Sequence, residues 1–181
     1  LYGLTHTYTG YPLVKEARAR VASGSLGEIR KLVVEYPQGW LADRQEDADN
    51  KQAAWRLDPA QAGVSSCMGD IGVHAANLSE YVSGLKITAI CSDLTSFVSG
   101  RILDDDGAVL LRFENGARGV LHASQISVGE ENALSIRIYG EKGGLEWRQQ
   151  EPTTLWLKWA DRSTEMLRSG GGYLGQLASA N

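Results

Sequence analysis

Asp70 and His74 are the two side chains in this sequence whose types and spacing could carry a proton transfer. A separation of four residues places a carboxylate and an imidazole on adjacent turns of one helix face. The unperturbed pKa of histidine lies nearest neutrality, and a nearby carboxylate favours the charged imidazole and fixes its ring. The pair therefore indicates acid–base catalysis. The structural alternative is that Asp70 is a helix N-cap and His74 a hydrogen-bonded core residue.

Metal, nucleophile and nucleotide sites have weaker support. A metal would need a third ligand, and His6 and His122 are too distant in sequence to predict one, so we expect no metal. The sequence has no G-x-S-x-G motif for a nucleophilic serine. Residues 170–175 match G-x-G-x-x-G, but no hydrophobic strand leads into them and no βαβ unit follows. We interpret them as a flexible turn and not as a cofactor site.

A long polar segment, residues 37–69, precedes the acid–base pair. A connection of that length inside a compact domain is usually functional or poorly ordered, which makes this segment a candidate binding loop. Within it, Trp40 and the adjacent Trp55 and Arg56 could stack on a planar ligand or anchor the loop itself.

Hydrophobic periodicity predicts two helices and two strands in the first half of the chain. Pro12, followed by apolar residues at helical spacing, predicts a helix that ends at Gly24. A second helix is predicted to begin at Asp70, its N-cap, and to end at Gly84. The predicted strands of this half are residues 4–8 and 28–36.

The second half of the chain consists of β-rich segments separated by turn residues. Asn115 and Gly116 predict a type I′ hairpin, whose two central residues need positive φ. Further turns are predicted at residues 104–107 and 141–144. Short connections join antiparallel neighbours, so we expect a meander of five or six strands packed with the two helices. The predicted strands are residues 86–97, 108–114, 117–126, 133–139, 145–150 and 153–159.

Composition and charge limit the partners and the compartment. The chain carries 18 Lys and Arg against 22 Asp and Glu, for a formal net charge of −4, so it has no basic face for phosphates. We expect neither nucleic-acid nor membrane partners. Cys67 and Cys91 are too few for a disulfide framework and are predicted to be inert thiols in a reducing compartment. No apolar stretch of about 18 residues and no signal peptide occur, which predicts a soluble, cytoplasmic protein.

The length of 181 residues favours a single domain. We expect residues 1–167 to form one α+β domain and residues 168–181 to form a loose C-terminal segment. The chain begins at Leu1 and stops at Asn181, after a Gly-rich stretch and a short apolar run, so we also expect that both ends are cut from a longer protein.

Four segments together resemble the C-terminal domain of the Gfo/Idh/MocA family of NAD(P)-dependent oxidoreductases. The family pattern near the site is a Gly-rich approach followed by D-x-G-x-H, which here is Asp70, Gly72 and His74. The segments are THTYTGYPLVKEARARVASGSLGEIRKLVVEY (5–36), GDIGVHAANLSEYVSG (69–84), LLRFENGARGVLHAS (110–124) and IYGEKGGLEW (138–147).

The resemblance implies a fold, a set of site residues and a role for residues 1–167 as the substrate-binding and oligomerisation domain. The fold is α+β, a large, mostly antiparallel open β-sheet with helices packed on one face. His74 would take the substrate hydroxyl proton, and Asp70 would orient the substrate or the histidine. Tyr8, Trp40 and Arg56 match positions that line the family's substrate cleft. Hydride transfer would then occur between a nicotinamide and a carbinol carbon of a sugar, cyclitol or related polyol.

The same resemblance implies which parts of such an enzyme this chain lacks. NAD or NADP would be bound mainly by an N-terminal Rossmann domain, which is missing here, as is a Glu-Lys-Pro segment with a catalytic lysine. We therefore expect this chain by itself to be inactive. The open sheet would leave one apolar face, so we expect a homo-oligomer through that face.

A second interpretation is a non-enzymatic dimerisation or ligand-binding module derived from such an enzyme. It rests on residues 64–68, Val-Ser-Ser-Cys-Met, which stand where the family usually has glycines. A Rossmann motif and a Glu-Lys-Pro segment upstream of this chain would favour the enzyme. The residues do not determine the substrate, the choice of NAD or NADP, or the direction of reaction.

Overall fold

The computed structural model describes residues 3–47 and 50–179, which form one eight-stranded sheet with helices on one face. The strand order is β2-β3-β4-β1-β5-β6-β7-β8. The strands are β1 (Ile29–Pro37), β2 (Ile87–Thr95), β3 (Asp106–Phe113), β4 (Arg118–Ser124), β5 (Ser135–Gly140), β6 (Gly143–Arg148), β7 (Thr154–Trp159) and β8 (Glu165–Arg168). This architecture confirms the predicted mostly antiparallel open sheet.

The topology differs from the predicted single meander. Strand β1 lies between β4 and β5, parallel to β4 and antiparallel to β5. Among the strand pairs of the described chain, β1–β4 is the parallel one. Local turn signals predicted β4 and β5 as neighbours because short connections usually join paired strands. A strand from the first half of the chain separates them instead, and the short edge strand β8 was not predicted.

Two eleven-residue helices cover one face of the sheet. Helix α1 (Pro12–Ala22) starts with its proline in the first turn, and helix α4 (Val73–Ser83) ends at Gly84, whose φ of 73° is left-handed. The start of α1 and the end of α4 match the predictions. The buried side chains that join these helices to the sheet are Leu13, Val14, Ala17, Ala75, Leu78, Val82, Leu32, Val34, Ile136, Ile138, Leu145, Trp147, Leu155 and Leu157.

The chain before α1 and the segment after β1 differ from their predictions. Residues 4–8 form no strand. Instead Thr7–Gly10 is a 3₁₀ turn, because the Thr9 hydroxyl donates to the His6 carbonyl at 2.8 Å and closes the chain locally. The long segment 37–69 is not an irregular loop throughout. It contains a 3₁₀ turn (Gln45–Asp47) and the helices α2 (Lys51–Leu57) and α3 (Pro59–Ala62).

The hairpin between β3 and β4 is confirmed, but its turn type is not. Only glycines have positive φ in the described chain, so Asn115 is not left-handed and the turn is not type I′. Gly116, with φ of 91°, donates to the Phe113 carbonyl at 2.9 Å in a three-residue loop. The Asn115 side chain accepts from Ala117 and donates to the Ile29 carbonyl, each at 3.0 Å, which holds it in the turn.

The described part of the C-terminal segment contacts helix α1. Helix α5 (Gln176–Ser179) buries Ala178, and the Gly175 amide donates to the Glu16 carboxylate at 2.8 Å. The division of the chain at residue 167 stays a prediction, and the chain ends Leu1 and Asn181 lie outside the described residues. In the part of the chain that is described, no helix has the length and apolar character needed to span a bilayer.

Candidate functional site

One cleft of about 420 Å³ lies beside the N-terminal end of α4. All five site residues predicted from the sequence line this cleft, although they come from four separate parts of the chain. The full lining is Tyr8, Tyr36, Gln38, Trp40, Gln52, Arg56, Asp70, Ile71 and His74.

A π-helical turn, Met68–Gly72, places Asp70 at the cleft and leads directly into α4. Asp70 therefore lies inside a helical turn, and the prediction that it is the N-cap of the helix is wrong. The helical hydrogen bonds begin earlier, since the Asp70 amide donates to the Ser66 carbonyl at 2.8 Å. Single π turns within α-helices occur frequently at functional sites.

The buried carboxylate of Asp104 holds the chain that enters this turn. It accepts hydrogen bonds from the amides of Ser66 at 3.0 Å and Met68 at 2.8 Å. Asp104 was predicted only as a turn residue, and it is 8% exposed because its carboxylate caps these amides. Cys67 packs in the core, where burial raises the pKa of its thiol well above the usual range, while Cys91 is exposed. A protonated Cys67 agrees with the predicted inert thiol.

Residues 64–68, which depart from the family pattern, lie next to the cleft but do not line it. Val64 is exposed to solvent and Cys67 is buried in the core, whereas Ser65 and Ser66 line an adjoining pocket of about 270 Å³. That pocket shares Arg56, Asp70 and His74 with the cleft. The non-enzymatic alternative, which rests on these residues, stays a prediction.

Asp70 contacts an arginine and a glutamine at the edge of the cleft. Its Oδ2 atom accepts hydrogen bonds from Arg56 Nε and from Gln125 Nε2, each at 2.9 Å. Among the described residues no hydrogen bond joins Asp70 to His74, so the two interact through charge alone. Asp70 thus has geometry suited to hold Arg56 and not to orient the imidazole ring.

Hydrogen bonds and two aromatic rings hold the Arg56 side chain in place. Besides Asp70, its guanidinium donates to Gln52 Oε1 at 2.6 Å, and it lies 4.3 Å from the centroid of the Trp55 ring and 5.9 Å from that of Trp40. The carboxylate of Asp70 neutralises this guanidinium. Arg56 is the one Arg or Lys among the residues that line the cleft. Because Asp70 balances its charge, the cleft carries no net positive charge.

His74 lies half-buried between two aromatic neighbours. Its Nδ1 atom is 3.4 Å from Nδ1 of His6, and its ring meets the Tyr8 ring edge-on at 5.1 Å between centroids. Burial first, and then the charge of His6, lower the pKa of His74, while Asp70 acts in the opposite direction. The sequence predicted that the carboxylate would favour the charged form. Burial outweighs it, so the imidazole stays neutral at physiological pH.

Sequence reasoning missed a hydrogen-bonded network along the opposite wall of the cleft. The Tyr8 and Tyr36 hydroxyls form a hydrogen bond with each other, and the Tyr36 hydroxyl donates to Asn132 Oδ1 at 2.5 Å. Gln38 Nε2 donates to the same Oδ1 at 2.8 Å, and Trp40 Nε1 donates to Gln38 Oε1 at 3.1 Å. Tyr36 lies near the end of β1, Gln38 directly follows that strand, and Asn132 precedes β5. The prediction failed here because it did not pair β1 with β5.

The described residues provide no cradle for a dinucleotide. The Gly-rich residues 170–175 follow strand β8, but β8 is a mostly exposed antiparallel edge strand of four residues and not a hydrophobic strand, and α5 also has four residues. The Gly175 amide donates to the Glu16 carboxylate, whose charge would repel a phosphate. No cluster of three His, Cys, Asp or Glu side chains suited to a metal occurs within residues 3–47 and 50–179.

Comparisons with known proteins identify the relatives of the chain. An uncharacterized oxidoreductase, YfiI, of Bacillus subtilis is 31% identical over 183 residues, which cover 100% of this chain and 47% of the relative. A levoglucosan dehydrogenase of Pseudarthrobacter phenanthrenivorans is 25% identical and covers 84% of this chain and 43% of the relative. The chain therefore spans about half the length of the curated relatives it matches.

Solved structures agree with these relatives. An inositol dehydrogenase homolog from Azotobacter vinelandii, complexed with NAD⁺, matches 97% of this chain and 46% of its own with a TM-score of 0.93 and 34% identity. A structure of an inositol dehydrogenase homolog from the same organism contains NADH and myo-inositol and matches with a TM-score of 0.86 and 31% identity. The profile of the GFO/IDH/MocA C-terminal domain matches residues 14–146. This match and these relatives show that the chain belongs to the GFO/IDH/MocA C-terminal domain family, as its sequence motifs predicted.

Proposed function

We propose that this chain forms the substrate cleft and supplies the proton acceptor of an NAD- or NADP-dependent dehydrogenase that oxidises a CH–OH group of a sugar, cyclitol or related polyol. The observation that carries the proposal is a half-buried, neutral His74 in a cleft whose other polar groups suit hydroxyls. Relatives named as inositol and levoglucosan dehydrogenases support this substrate class.

The cofactor would be held elsewhere in the protein. When bound, a nicotinamide supplies the acceptor for the hydride that leaves the carbinol carbon. Because the described residues form no dinucleotide cradle, we propose that a Rossmann domain outside this chain holds the cofactor and that the chain alone has no turnover. This chain's share of the work is to bind the substrate and remove its proton.

His74 has the position and protonation state for that step. When its Nδ1–H donates to Nδ1 of His6, its Nε2 atom keeps a free lone pair that can accept the hydroxyl proton. A neutral imidazole is required, since a protonated one has no lone pair to offer. His6 thus positions the ring, whereas the family resemblance implies that Asp70 orients the substrate or the histidine.

The charge balance of the cleft favours an uncharged substrate. Asp70 neutralises Arg56, so an anionic ligand would gain no net attraction there. The remaining lining groups are tyrosine, glutamine and tryptophan side chains, which hydrogen-bond hydroxyls or stack on sugar rings. Tyr8, Trp40 and Arg56 are proposed to contact the substrate.

A second copy of the chain is proposed to cover the outer face of the sheet. Cross-strand partners on the face opposite the helices form an apolar row of Cys91, Leu110, Val120 and Val33. Leu110 is 60% exposed in the isolated chain. Covering this row would remove apolar surface from water, which is the reason for a homo-oligomer.

The test is turnover of the complete protein that contains this chain, with NAD or NADP and a panel of polyols. A His74→Gln variant should lower kcat/KM about 10²- to 10⁴-fold, since it removes the general base. The matched control is His122→Gln, whose histidine lies outside the cleft, 3.3 Å from Asp106. Undiminished turnover in His74→Gln would remove this residue from the mechanism.

A further inference from the structure

The indole of Trp40 fixes the direction of every hydrogen bond in the network beside the cleft. An indole N–H can only donate, so the Gln38 atom that it contacts at 3.1 Å must be the amide oxygen. The other amide atom of Gln38, the NH₂ nitrogen, then faces Asn132 at 2.8 Å. That nitrogen can also only donate, so the Asn132 atom that it meets must be Oδ1.

The same reasoning continues through the two tyrosines. The Tyr36 hydroxyl lies 2.5 Å from Asn132 Oδ1, which has no proton, so Tyr36 donates. Its single proton is thereby used, and the proton in the contact between Tyr8 and Tyr36 must come from Tyr8. Tyr36 is 2% exposed and Tyr8 is half-buried, so Tyr8 is the more exposed of the two phenols that line the cleft. The Tyr8 hydroxyl proton therefore points toward Tyr36 and away from the substrate.

We propose that Tyr8 presents the substrate with a hydrogen-bond acceptor only, and that Trp40, Gln38, Asn132 and Tyr36 are the positioning residues that impose this polarity. The inference rests on the proposed function, since it concerns how the same cleft selects its substrate. Burial keeps the pKa of Tyr36 well above its usual range, so its proton is present at every working pH.

Two consequences follow for the substrate. Tyr8 must accept a hydrogen bond from a hydroxyl, and it lies next to His74, which accepts the reacting hydroxyl's proton. Two adjacent acceptors fit two hydroxyls on neighbouring carbons, so the substrate class is a vicinal diol. Tyr8 is also excluded as a proton donor or relay, because its proton is directed through Tyr36 to an amide oxygen that cannot be protonated at working pH.

A single substitution three hydrogen bonds away from Tyr8 should reverse the network. In Gln38→Glu at pH 8 the carboxylate has only acceptors, so Asn132 must turn its NH₂ group toward residue 38 and toward Tyr36. Tyr36 then accepts from Asn132 and donates to Tyr8, which frees the Tyr8 proton for the cleft. The matched control is Asn132→Asp, which adds the same charge to the same network but keeps an acceptor at that position and so keeps the polarity.

The readout is the ratio of kcat/KM for myo-inositol to kcat/KM for its deoxyfluoro analogues at the carbons beside the oxidised one, measured with the complete protein. Fluorine can accept a hydrogen bond but cannot donate one, so a fluorine analogue cannot hydrogen-bond to a Tyr8 hydroxyl that only accepts. The ratio should fall about tenfold in Gln38→Glu and stay at the wild-type value in Asn132→Asp. The intrinsic reactivity of each analogue is the same in all variants, so it cancels when the ratio of a variant is compared with that of the wild-type protein. An unchanged ratio in Gln38→Glu overturns the inference.

A spectroscopic measurement separates this inference from the proposed function. If the wild-type protein oxidises no polyol, the proposed function fails, but the polarity is still measured by NMR of ¹³Cζ-labelled tyrosine, with Tyr8 assigned from Tyr8→Phe. The Tyr8 resonance should move in Gln38→Glu, where its hydroxyl changes from donating to accepting, by more than in Asn132→Asp. Equal shifts in the two variants would refute the proposed polarity.

Discussion

Removing the charge of Asp70 should change which substrates the cleft accepts. Asp70 and Arg56 are 2.9 Å apart, with side chains 26% and 21% exposed, so Asp70→Asn leaves a guanidinium without its counter-charge at the cleft wall. A ligand carboxylate about 4 Å away would gain about 1 kcal/mol in water-like surroundings and about 4 kcal/mol at an effective dielectric of 20. The open, partly exposed cleft favours the lower figure, which corresponds to about a fivefold to tenfold change.

The assay compares kcat/KM for myo-inositol and for D-glucuronate in the complete protein. Asp70→Asn should raise the glucuronate-to-inositol ratio about fivefold to tenfold, and added salt should diminish the effect because it screens an exposed charge. The matched control is Glu46→Gln, which removes one negative charge from the ion pair with Arg101 outside the cleft. A ratio that does not rise in Asp70→Asn would refute the conclusion that Asp70 keeps the cleft uncharged.

Three further predictions test the site and the fold. Because burial and His6 lower the pKa of His74, kcat/KM should fall on acidification only below the usual histidine range, and His6→Phe should move that acid limb to higher pH. An acid limb that does not move would contradict the coupling. Leu78→Ala should lower the free energy of unfolding by about 2–5 kcal/mol in urea, whereas the exposed Leu177→Ala should change it by less than about 0.5 kcal/mol. Leu110→Glu on the outer sheet face should reduce the oligomer mass measured by light scattering, and an unchanged mass would place the interface elsewhere.

The sequence predicted the parts of the structure that depend on local chemistry. The 3.6-residue spacing of apolar residues located α1, and proline and glycine marked its start and the end of α4. Alternating β-rich segments located seven of the eight strands. These features were accessible because each is decided by neighbours within a few residues along the chain.

The parts that the sequence did not predict depend on contacts between distant residues. The parallel pairing of β1 with β4, the capping of amides by Asp104 and the position of His6 beside His74 all join segments far apart in the chain. The contact that Asp70 makes was also not predicted, although its place at the site was. The sequence predicted it at the site, but its partner, Arg56, was decided by how α2 folds back across the cleft.

The sequence by itself thus determined the family, helices α1 and α4, seven of the eight strands and five of the nine residues that line the cleft. Only the tertiary structure decided the charge of His74, the neutralisation of Arg56 and the polarity of the Tyr8 network. Burial and hydrogen-bond partners set these properties. Both are fixed only when strand β1 takes its place between β4 and β5 and brings the first half of the chain against the second.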